Sequence, residues 1–416
     1  MSCNRLSTRP PGSAVFPVGL YRLLRLFSGL CLIPGLFLVP GLCLAEPSFK
    51  VTPDIRAESA YHDNLFSRGR EDLEYILSPS LRFQGETERS SLKGRLGLQD
   101  FTYARETQYD RTQYQADFGA RHQMTERLDF SLDGSWGKDY VIEDYLDENY
   151  RLRSNPSRKT WNIAPGLRYR LSERDTLMLN GSYARQRYEH DALPGYTALG
   201  GGIGLEHALL DGTLSLLGQA SAQFYEFDAP MQDIRQDNYN VMAGVLWTPL
   251  EQLSVRALGG VNVIKSEVEY TRSAMGRDYS LSETGFTGSL SATWSEKDWS
   301  STLDAARTEY PSLYGELNTR DEYTLRFSKQ ISPRWNVYSH INFSTIENDG
   351  IISKTSKEYW SFHAQMTYKL TEKLSVGLRY RYTDSLNKLR DNRDIGNIIS
   401  VQFAWELPSF SADGIR

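Results

Sequence analysis

Cysteine is confined to the start of this 416-residue chain, where Cys3, Cys31 and Cys43 all lie within the first 45 residues. Residues 46–416 contain none. This absence excludes a disulfide-stapled scaffold and a thiolate metal site from the main part of the chain.

Residues 46–416 also lack a convincing helical period, an interdomain linker, a low-complexity tract and an excess of positive charge. The chain has 47 basic and 52 acidic residues, and the first 45 residues hold four arginines and no acid. Subtracting those four leaves 43 basic against 52 acidic residues, a net charge of −9. This balance argues against nucleic acid as a partner. Although the length would ordinarily suggest two or three soluble domains, nothing in the sequence divides it.

The first 45 residues have the composition of an export signal. Four arginines accompany an apolar run, 26–44, in which Pro34 and Pro40 disfavour a stable membrane-spanning helix. Small residues at Cys43 and Ala45 predict cleavage after Ala45. Lipid attachment at Cys43 is the weaker alternative, because the preceding Leu42 is not small. We therefore assign 1–45 to a signal peptide and 46–416 to one domain.

One phrase recurs along residues 46–416. In YKLTEKLSVGLRYRYTD, 368–384, two runs with an apolar residue at every second position meet at a short polar turn. Similar phrases begin at His122, Tyr169 and Lys329. Alternation of this kind predicts strands with one apolar and one polar face, joined as hairpins. Turns of this type are predicted near Glu88, Glu126, Glu173, Asp211, Leu250, Lys297, Pro333 and Glu372.

The predicted strands have the length of membrane-crossing strands. A tilted strand crosses a bilayer with about 9–11 residues. Short turns alternate with longer polar connections, 138–159, 226–238 and 266–279, which is the pattern of an outer-membrane barrel. A β-propeller has a similar period but four strands in each, whereas here each period holds two long strands. The predicted strands are approximately 49–61, 73–85, 91–103, 112–124, 128–140, 159–171, 176–188, 196–209, 213–225, 238–247, 253–265, 280–294, 299–309, 320–331, 335–346, 358–370, 374–384 and 395–405.

These strands predict an all-β fold, a transmembrane antiparallel up-and-down β-barrel of about eighteen strands. Closure removes the unpaired backbone groups that an open sheet would expose to lipid. The even number predicts that both termini are periplasmic, with short periplasmic turns and long extracellular connections. We also expect aromatic girdles at both interfaces. Their predicted members are Trp247, Trp294, Trp299, Trp335 and Trp405 beside short turns, and Tyr61, Tyr103, Tyr140, Tyr188, Tyr279, Tyr310, Tyr359 and Tyr382 beside long loops.

Polar and small residues alternate with the apolar ones and should line the lumen. Reflecting the sequence about the turn centres pairs Arg326 with His340 and His363 with Arg381, while reflection about the connection near Ile351 pairs His340 with His363. These four residues are therefore predicted to form a row across four neighbouring strands. Asp304 is expected next in line, where it would partly neutralise the row. With histidines about half charged near pH 6.5, the row would be a positive collar that strengthens in acid.

Enzymatic chemistry is not indicated. A hydrolase site in such a barrel would need a Ser–His pair or an Asp/His group at the rim. His122 lies beside a turn, His207 points to the lipid, and His62 and His190 are expected in loops. His340 and His363 alone are too few ligands for zinc. We therefore expect no catalytic residue, cofactor or metal.

The opening strand, VTPDIRAESAYHDNLF, resembles that of the β-barrel porin family linked to bacterial exopolysaccharide systems. Family members typically begin with a proline-containing strand that leads into a Tyr-x-Asp-Asn-x-Phe phrase, here Tyr61, Asp63, Asn64 and Phe66. The recurrent Leu-[Ser/Thr]-Glu-[Arg/Lys] turns also look like those of this family. The chain resembles, too, the compact eighteen-stranded barrels that are proposed to pass polysaccharide across the outer membrane. The phrase is expected to be a structural element of the first loop.

The resemblance implies an outer-membrane conduit for export of an exopolysaccharide. Its partners would be outer-membrane lipid, the polysaccharide cargo, and separate periplasmic export and barrel-assembly proteins. Two alternatives stay open on the sequence. One is a general diffusion porin for small solutes, and the other is a plugged structural or adhesive barrel.

Overall fold

A computed structural model describes residues 48–67, 69–140, 157–189, 194–229, 232–270, 278–311, 317–349 and 354–412. The predicted cleavage site after Ala45 lies outside these residues. No helix in the described ranges is long and apolar enough to span a membrane. The strands are β1 (Ser48–His62), β2 (Asp72–Glu86), β3 (Ser90–Tyr103), β4 (Arg111–Gln123), β5 (Leu128–Tyr140), β6 (Ser157–Arg170), β7 (Asp175–Tyr188), β8 (Gly195–Leu209), β9 (Leu214–Ala229), β10 (Gln232–Leu250), β11 (Leu253–Tyr270), β12 (Tyr279–Ser295), β13 (Trp299–Pro311), β14 (Leu317–Gln330), β15 (Trp335–Asp349), β16 (Lys354–Lys369), β17 (Leu374–Asn387), β18 (Asn392–Glu406) and β19 (Phe410–Ala412).

The sheet closes on itself. Each strand from β1 to β18 pairs antiparallel with the next along the chain, and β18 pairs with β1 from Asp54–Glu406 to His62–Ile398. The short strand β19 adds three pairs beside the start of β1. The eighteen-stranded, antiparallel, up-and-down barrel predicted from the alternation is therefore confirmed. β19, which follows the last predicted strand, was not predicted.

The outer face of the barrel is apolar. Along each strand, large apolar side chains are exposed at every second position, because they point away from the closed sheet. Leu167 and Val401 are examples, with 37% and 41% of their surface exposed. A barrel in lipid needs such a belt, since its backbone groups are paired within the sheet. Other members are Ile55, Leu179, Leu199, Ile203, Leu216, Val241, Val261, Phe286, Leu303, Leu325, Ile341, Leu378, Ile399 and Phe403.

Hydroxyl groups hold the short turns at one end of the barrel, which we call the turn end. The Thr371 Oγ1 accepts hydrogen bonds from the backbone N–H groups of Lys373 and Leu374, at 3.3 and 3.0 Å. The hydroxyls of Thr125, Ser172 and Ser332 each accept the corresponding two bonds in their own turns. A Ser or Thr at this place mimics a backbone turn. This explains why the phrase recurs.

At the opposite end, which we call the loop end, several strands run further than predicted. The connection predicted at 226–238 is mostly strand, because β9 continues to Ala229 and β10 begins at Gln232. β11 likewise continues to Tyr270. In these extensions charged residues such as Glu226 and Glu267 lie on the outer face and apolar residues such as Val268 lie on the inner face, so the apolar-outward alternation of a membrane-crossing strand is reversed there. A sequence pattern of this kind is hard to distinguish from a loop.

The predicted tyrosine girdle at the loop end is wrong for several of its members. Tyr61 and Tyr382 lie on the outer face, in phase with the apolar belt. Tyr103 is only 2% exposed and lies inside the barrel, where it packs with Leu65 and Phe101. Proximity to a loop does not decide on which face a ring lies. The other predicted members in phase with the inner face are Tyr188, Tyr279, Tyr310 and Tyr359.

Candidate functional site: the lumen wall

The inner face of the barrel is polar and carries many small side chains. Directly paired residues in an antiparallel sheet lie on the same face, so the strand pairing identifies this face around the whole wall. It presents hydroxyls, amides, glycines and charges of both signs. Members predicted from the sequence that lie on it are Lys93, Arg95, Gln99, Gln115, Asp117, Arg121, Gly200, Gly202, Gly204, Ser289, Ser291, Thr293, Gln365 and Thr367.

The four residues predicted to form a row are paired across β14 to β17. Arg326 pairs with His340, His340 with His363, and His363 with Arg381. All four positions therefore lie on the inner face in one line perpendicular to the strands. The pairing matches the reflection used on the sequence, since no bulge interrupts these strands between the turns and the row.

Asp304 contacts the row, but it is not the strand partner of Arg326 that the sequence suggested. The Cα partner of Arg326 on β13 is Thr302, and Asp304 instead pairs with Thr324. The Arg326 guanidinium nevertheless forms an ion pair with the Asp304 carboxylate, because a long side chain can bridge a diagonal pair. Ser291 donates a second hydrogen bond to Asp304 at 2.6 Å. Asp304 thus neutralises one end of the row.

The other end of the row keeps its charge. Within the described part of the chain Arg381 has no ion-pair partner, and its side chain is exposed to the lumen. The next inner residue on β17, Arg379, is neutralised by Glu58 at 3.2 Å. Beside Arg381 in the row, the His363 ring packs edge-on against Tyr338 with centroids 5.9 Å apart, and its Nε2 has no hydrogen-bond partner among the described residues. The predicted collar therefore has one uncompensated guanidinium, at Arg381.

A polar recess lies in the wall formed by β1 to β6. Its volume is about 340 Å³. The amides of Gln99, Gln113 and Gln115 and the guanidinium groups of Arg56 and Arg95 line it. Small inner residues, including Gly97 and Gly137, leave the space open. Convergent amide and guanidinium donors of this kind suit a polyhydroxylated ligand bound by hydrogen bonds.

The phrase that carries the family resemblance joins the first strand to the last. The Asp63 carboxylate accepts hydrogen bonds from both the backbone N–H and the side-chain amide of Asn397, each at 2.6 Å. Asn64 Nδ2 donates to the Ile395 carbonyl at 2.6 Å, and its Oδ1 accepts from the Gly69 N–H at 2.6 Å. These bonds extend the β1–β18 closure beyond the last backbone pair. The phrase has the structural role expected of it.

The first loop then turns into the lumen. Phe66 has a left-handed backbone, φ 52°, and its ring packs edge-on against Tyr109 and Tyr103 at centroid distances of 4.9 and 5.8 Å. Leu65 and Phe101 complete this apolar cluster on the inner face. Its position narrows the loop end of the barrel. The sequence offers a loop phrase here but nothing that predicts an inward fold.

A buried polar network supports the same cluster and was not predicted. Glu74 and Arg111 are each 6% exposed. Tyr103 donates its hydroxyl hydrogen to Glu74 and accepts a bond from Arg111 Nη1 at 2.7 Å. His62 Nε2 lies 2.9 Å from Glu74, and His62 is the last residue of β1 rather than a loop residue. Because buried charges are costly unless paired, this network fixes the inward loop in one place.

A second cluster lies on the inner face of β8 to β12 at the loop end. Phe227, Ile234 and Val268 form its buried centre. Tyrosine rings surround that centre; Tyr196 and Tyr225 meet edge-on at 5.9 Å. We call this the tyrosine cluster, and its surrounding members are Tyr196, Tyr225, Tyr270 and Tyr279.

One Ser–His pair does occur, at the turn end. Ser90 Oγ lies 2.8 Å from His122 Nδ1. No carboxylate contacts this imidazole in the described ranges, so the orienting third member of a hydrolytic triad is missing there. Those ranges also hold no group of three or more His, Cys, Asp or Glu residues placed to bind a metal ion.

Comparison with known proteins identifies the fold. The copper transporter OprC is similar at 9% identity and TM-score 0.50, over 86% of this chain and 66% of that one, so the chain spans less than two thirds of it. OccK2 (OpdF) of Pseudomonas aeruginosa matches at 11% identity and TM-score 0.44, over 86% and 98%. The ferric-catecholate import receptor Fiu of E. coli K12 matches at 8% and 0.46, over 85% and 81%. No protein-family model and no curated protein matches the sequence. The fold is that of an outer-membrane β-barrel.

Proposed function

We propose that this protein is an outer-membrane conduit through which an exopolysaccharide is exported. The observation that carries the proposal is the inner wall, which presents small, hydroxyl and amide side chains around a closed barrel of eighteen strands. The resemblance of its first strand to a porin family linked to exopolysaccharide systems points to the same cargo. Periplasmic export proteins would supply the polymer.

The wall chemistry suits a moving polymer. A conduit needs weak contacts repeated along the path, because tight binding at one place would stall the chain. Hydroxyls and amides can exchange hydrogen bonds with successive sugars. At the loop end, the tyrosine cluster adds apolar ring surface with polar tips, which can cover the C–H face of a sugar ring without holding it tightly.

The charge in the row favours an acidic glycan over a neutral one. Asp304 neutralises Arg326, whereas Arg381 keeps an uncompensated charge facing the lumen. A glycan that bears carboxylates would be attracted to Arg381 as it passes.

Ion selectivity tests the row. Purified barrel in planar bilayers should prefer anions, and Arg381→Gln should weaken that preference, read from reversal potentials between pH 5.5 and 8. Arg381→Lys keeps the charge and is the matched control. Asp304→Asn releases Arg326 and should strengthen the preference. A wild type without anion preference, or an Arg381→Gln variant equal to it, contradicts the charged row but leaves the barrel intact.

Gene deletion tests the cargo. Removing the gene from its native host should lower surface polysaccharide, and the wild-type gene should restore it. Polysaccharide that stays unchanged while small-solute uptake falls would contradict export and establish the diffusion porin instead. Polysaccharide and uptake that both stay unchanged would favour the structural or adhesive barrel.

A further inference from the structure

The backbone ladder between β12 and β13 stops partway up the wall. The two strands pair beside their turn, at Ser295 and Ser300, and continue only to Gly288 and Arg307. β12 runs on to Tyr279 and β13 to Pro311. Over that distance β12 stays paired with β11, and β13 stays paired with β14. The two strands therefore separate toward the loop end.

The freed end of β13 lies on the inner side of β12. Asn262, an inner residue of β11, places its Nδ2 3.4 Å from the Glu309 carbonyl oxygen, so the contact crosses β12. Strands two apart in a sheet are about 9–10 Å from each other, too far for this contact. Thr287 of β12 also donates to the Arg307 carbonyl at 3.0 Å. β13 has folded over the inner face of its neighbour.

Glu309 holds the folded end in place. Its carboxylate lies against the backbone of Gly285 and Phe286, on the edge of β12 that has no strand partner there. The carboxylate also occupies the space where a Cβ on Gly285 would stand, so a side chain at that position would displace it. One side chain thus takes the place of the missing strand partner.

Continuing the ladder would give a different arrangement. Thr287 would pair with Thr308, and Phe286 with Glu309, by extension of the existing pairing. Glu309 would then stand on the outer face beside Phe286 and would lose its contact with Gly285. The folded position keeps that contact but leaves backbone pairs unmade. Each arrangement therefore has contacts that the other lacks.

We propose that the end of β13, residues 308–311, together with its β14 partners 317–320, is a movable flap that sets the width of the loop-end mouth. Folded in, it covers the inner face of β12 and β11 and narrows the lumen. Swung out, it completes the β12–β13 ladder and widens the lumen. The flap concerns only the width of the lumen, so its test does not depend on the cargo proposed above.

Single-channel conductance of the purified barrel in potassium chloride tests the flap. Glu309→Ala removes the latch, and Gly285→Ala displaces it, so both should raise the unit conductance or the time spent in a larger conductance level. Gly377→Ala is the matched glycine control, because nothing lies closer than 3.7 Å to its added Cβ. Glu206→Ala, a carboxylate change on the inner face at the turn end, controls for lost lumen charge. Both controls should conduct like the wild type.

A disulfide tests the second arrangement directly, since residues 46–416 have no cysteine of their own. In the continued ladder Thr287→Cys and Thr308→Cys are direct partners, at a Cα separation that a disulfide accepts, about 4.5–5.5 Å. Because Thr287 already contacts the Arg307 carbonyl in the folded arrangement, the deciding measurement is the conductance and not disulfide formation alone. Oxidation should lock the larger conductance and reduction should release it. The proposal is overturned if neither latch variant changes the conductance, if no disulfide forms, or if the oxidised and reduced pairs conduct alike.

Discussion

The two ends of this barrel are built by different means. At the turn end, four of the short turns are closed by a hydroxyl that accepts hydrogen bonds from the backbone N–H groups two and three residues further on, as at Thr371 and Ser332. At the loop end, contacts join residues far apart in the chain, such as Asp63 with Asn397. Local chemistry makes the first end regular, and long-range packing makes the second irregular.

This difference decides what the sequence could predict. The eighteen strands and their short turns follow from alternation and turn residues, both of which are local patterns. The row at Arg326, His340, His363 and Arg381 was paired correctly because short regular connections fix the pairing of β14 to β17. Asp304 pairs two residues away from the expected Cα partner of Arg326, although it neutralises that arginine as expected, since the sequence before β14 marks no turn centre.

Features of the loop end could not be predicted in the same way. The inward rings of Tyr103 and Tyr279, and the separation of β13 from β12, depend on partners that no local pattern identifies. The buried Glu74–Arg111 network likewise joins separate strands. Tertiary packing determines the face and the partner there, and the apolar-outward alternation ends where the strands extend beyond the apolar belt.

The largest expected difference between the two ends is their accessibility in cells. Epitope tags at Asn149, Met231 or Met275, which lie outside the described residues, should be reached by antibody on intact cells. Tags at Glu173 or Glu372, in turns of the turn end, should stay hidden until the outer membrane is permeabilised. The reverse pattern would show that the loop end faces the periplasm.

Between the two ends, the wall should respond strongly to charge on its outer face. Leu167→Arg should lower the free energy of unfolding by about 2–4 kcal/mol, because the cation faces the hydrocarbon. Urea unfolding in lipid vesicles measures the loss. The adjacent Arg168→Leu is the matched control on the inner face and should change stability little. Equal effects of the two changes would contradict the assignment of faces.

At the loop end, stability should depend on the hydrogen bonds that join Asp63 to Asn397. Asp63→Ala leaves the Asn397 N–H and amide without their acceptor, so we expect a loss of about 1–3 kcal/mol in unfolding free energy. A double-mutant cycle with Asn397→Ala should show a coupling of about 0.5–3 kcal/mol. Additive effects of the two changes would mean that the hydrogen bonds between Asp63 and Asn397 do not stabilise the closed barrel.

The turn end should show the smallest effects, and they should repeat from hairpin to hairpin. Thr371→Ala removes the acceptor for two backbone N–H groups that water can still reach, so the expected loss is about 0.5–1.5 kcal/mol. Thr371→Ser keeps the hydroxyl and should restore most of the stability, as measured by urea unfolding in lipid vesicles.

Glu372→Ala, in the same turn, is the matched surface control and should be nearly neutral. Ser332→Ala and Thr125→Ala should each resemble Thr371→Ala, because the same two bonds are lost in each turn. Since the turns are separate, the three losses should add. If Thr371→Ser is as harmful as Thr371→Ala, the hydroxyl does not stabilise the turn. The regularity of the turn end would then come from the strands rather than from the turns that join them.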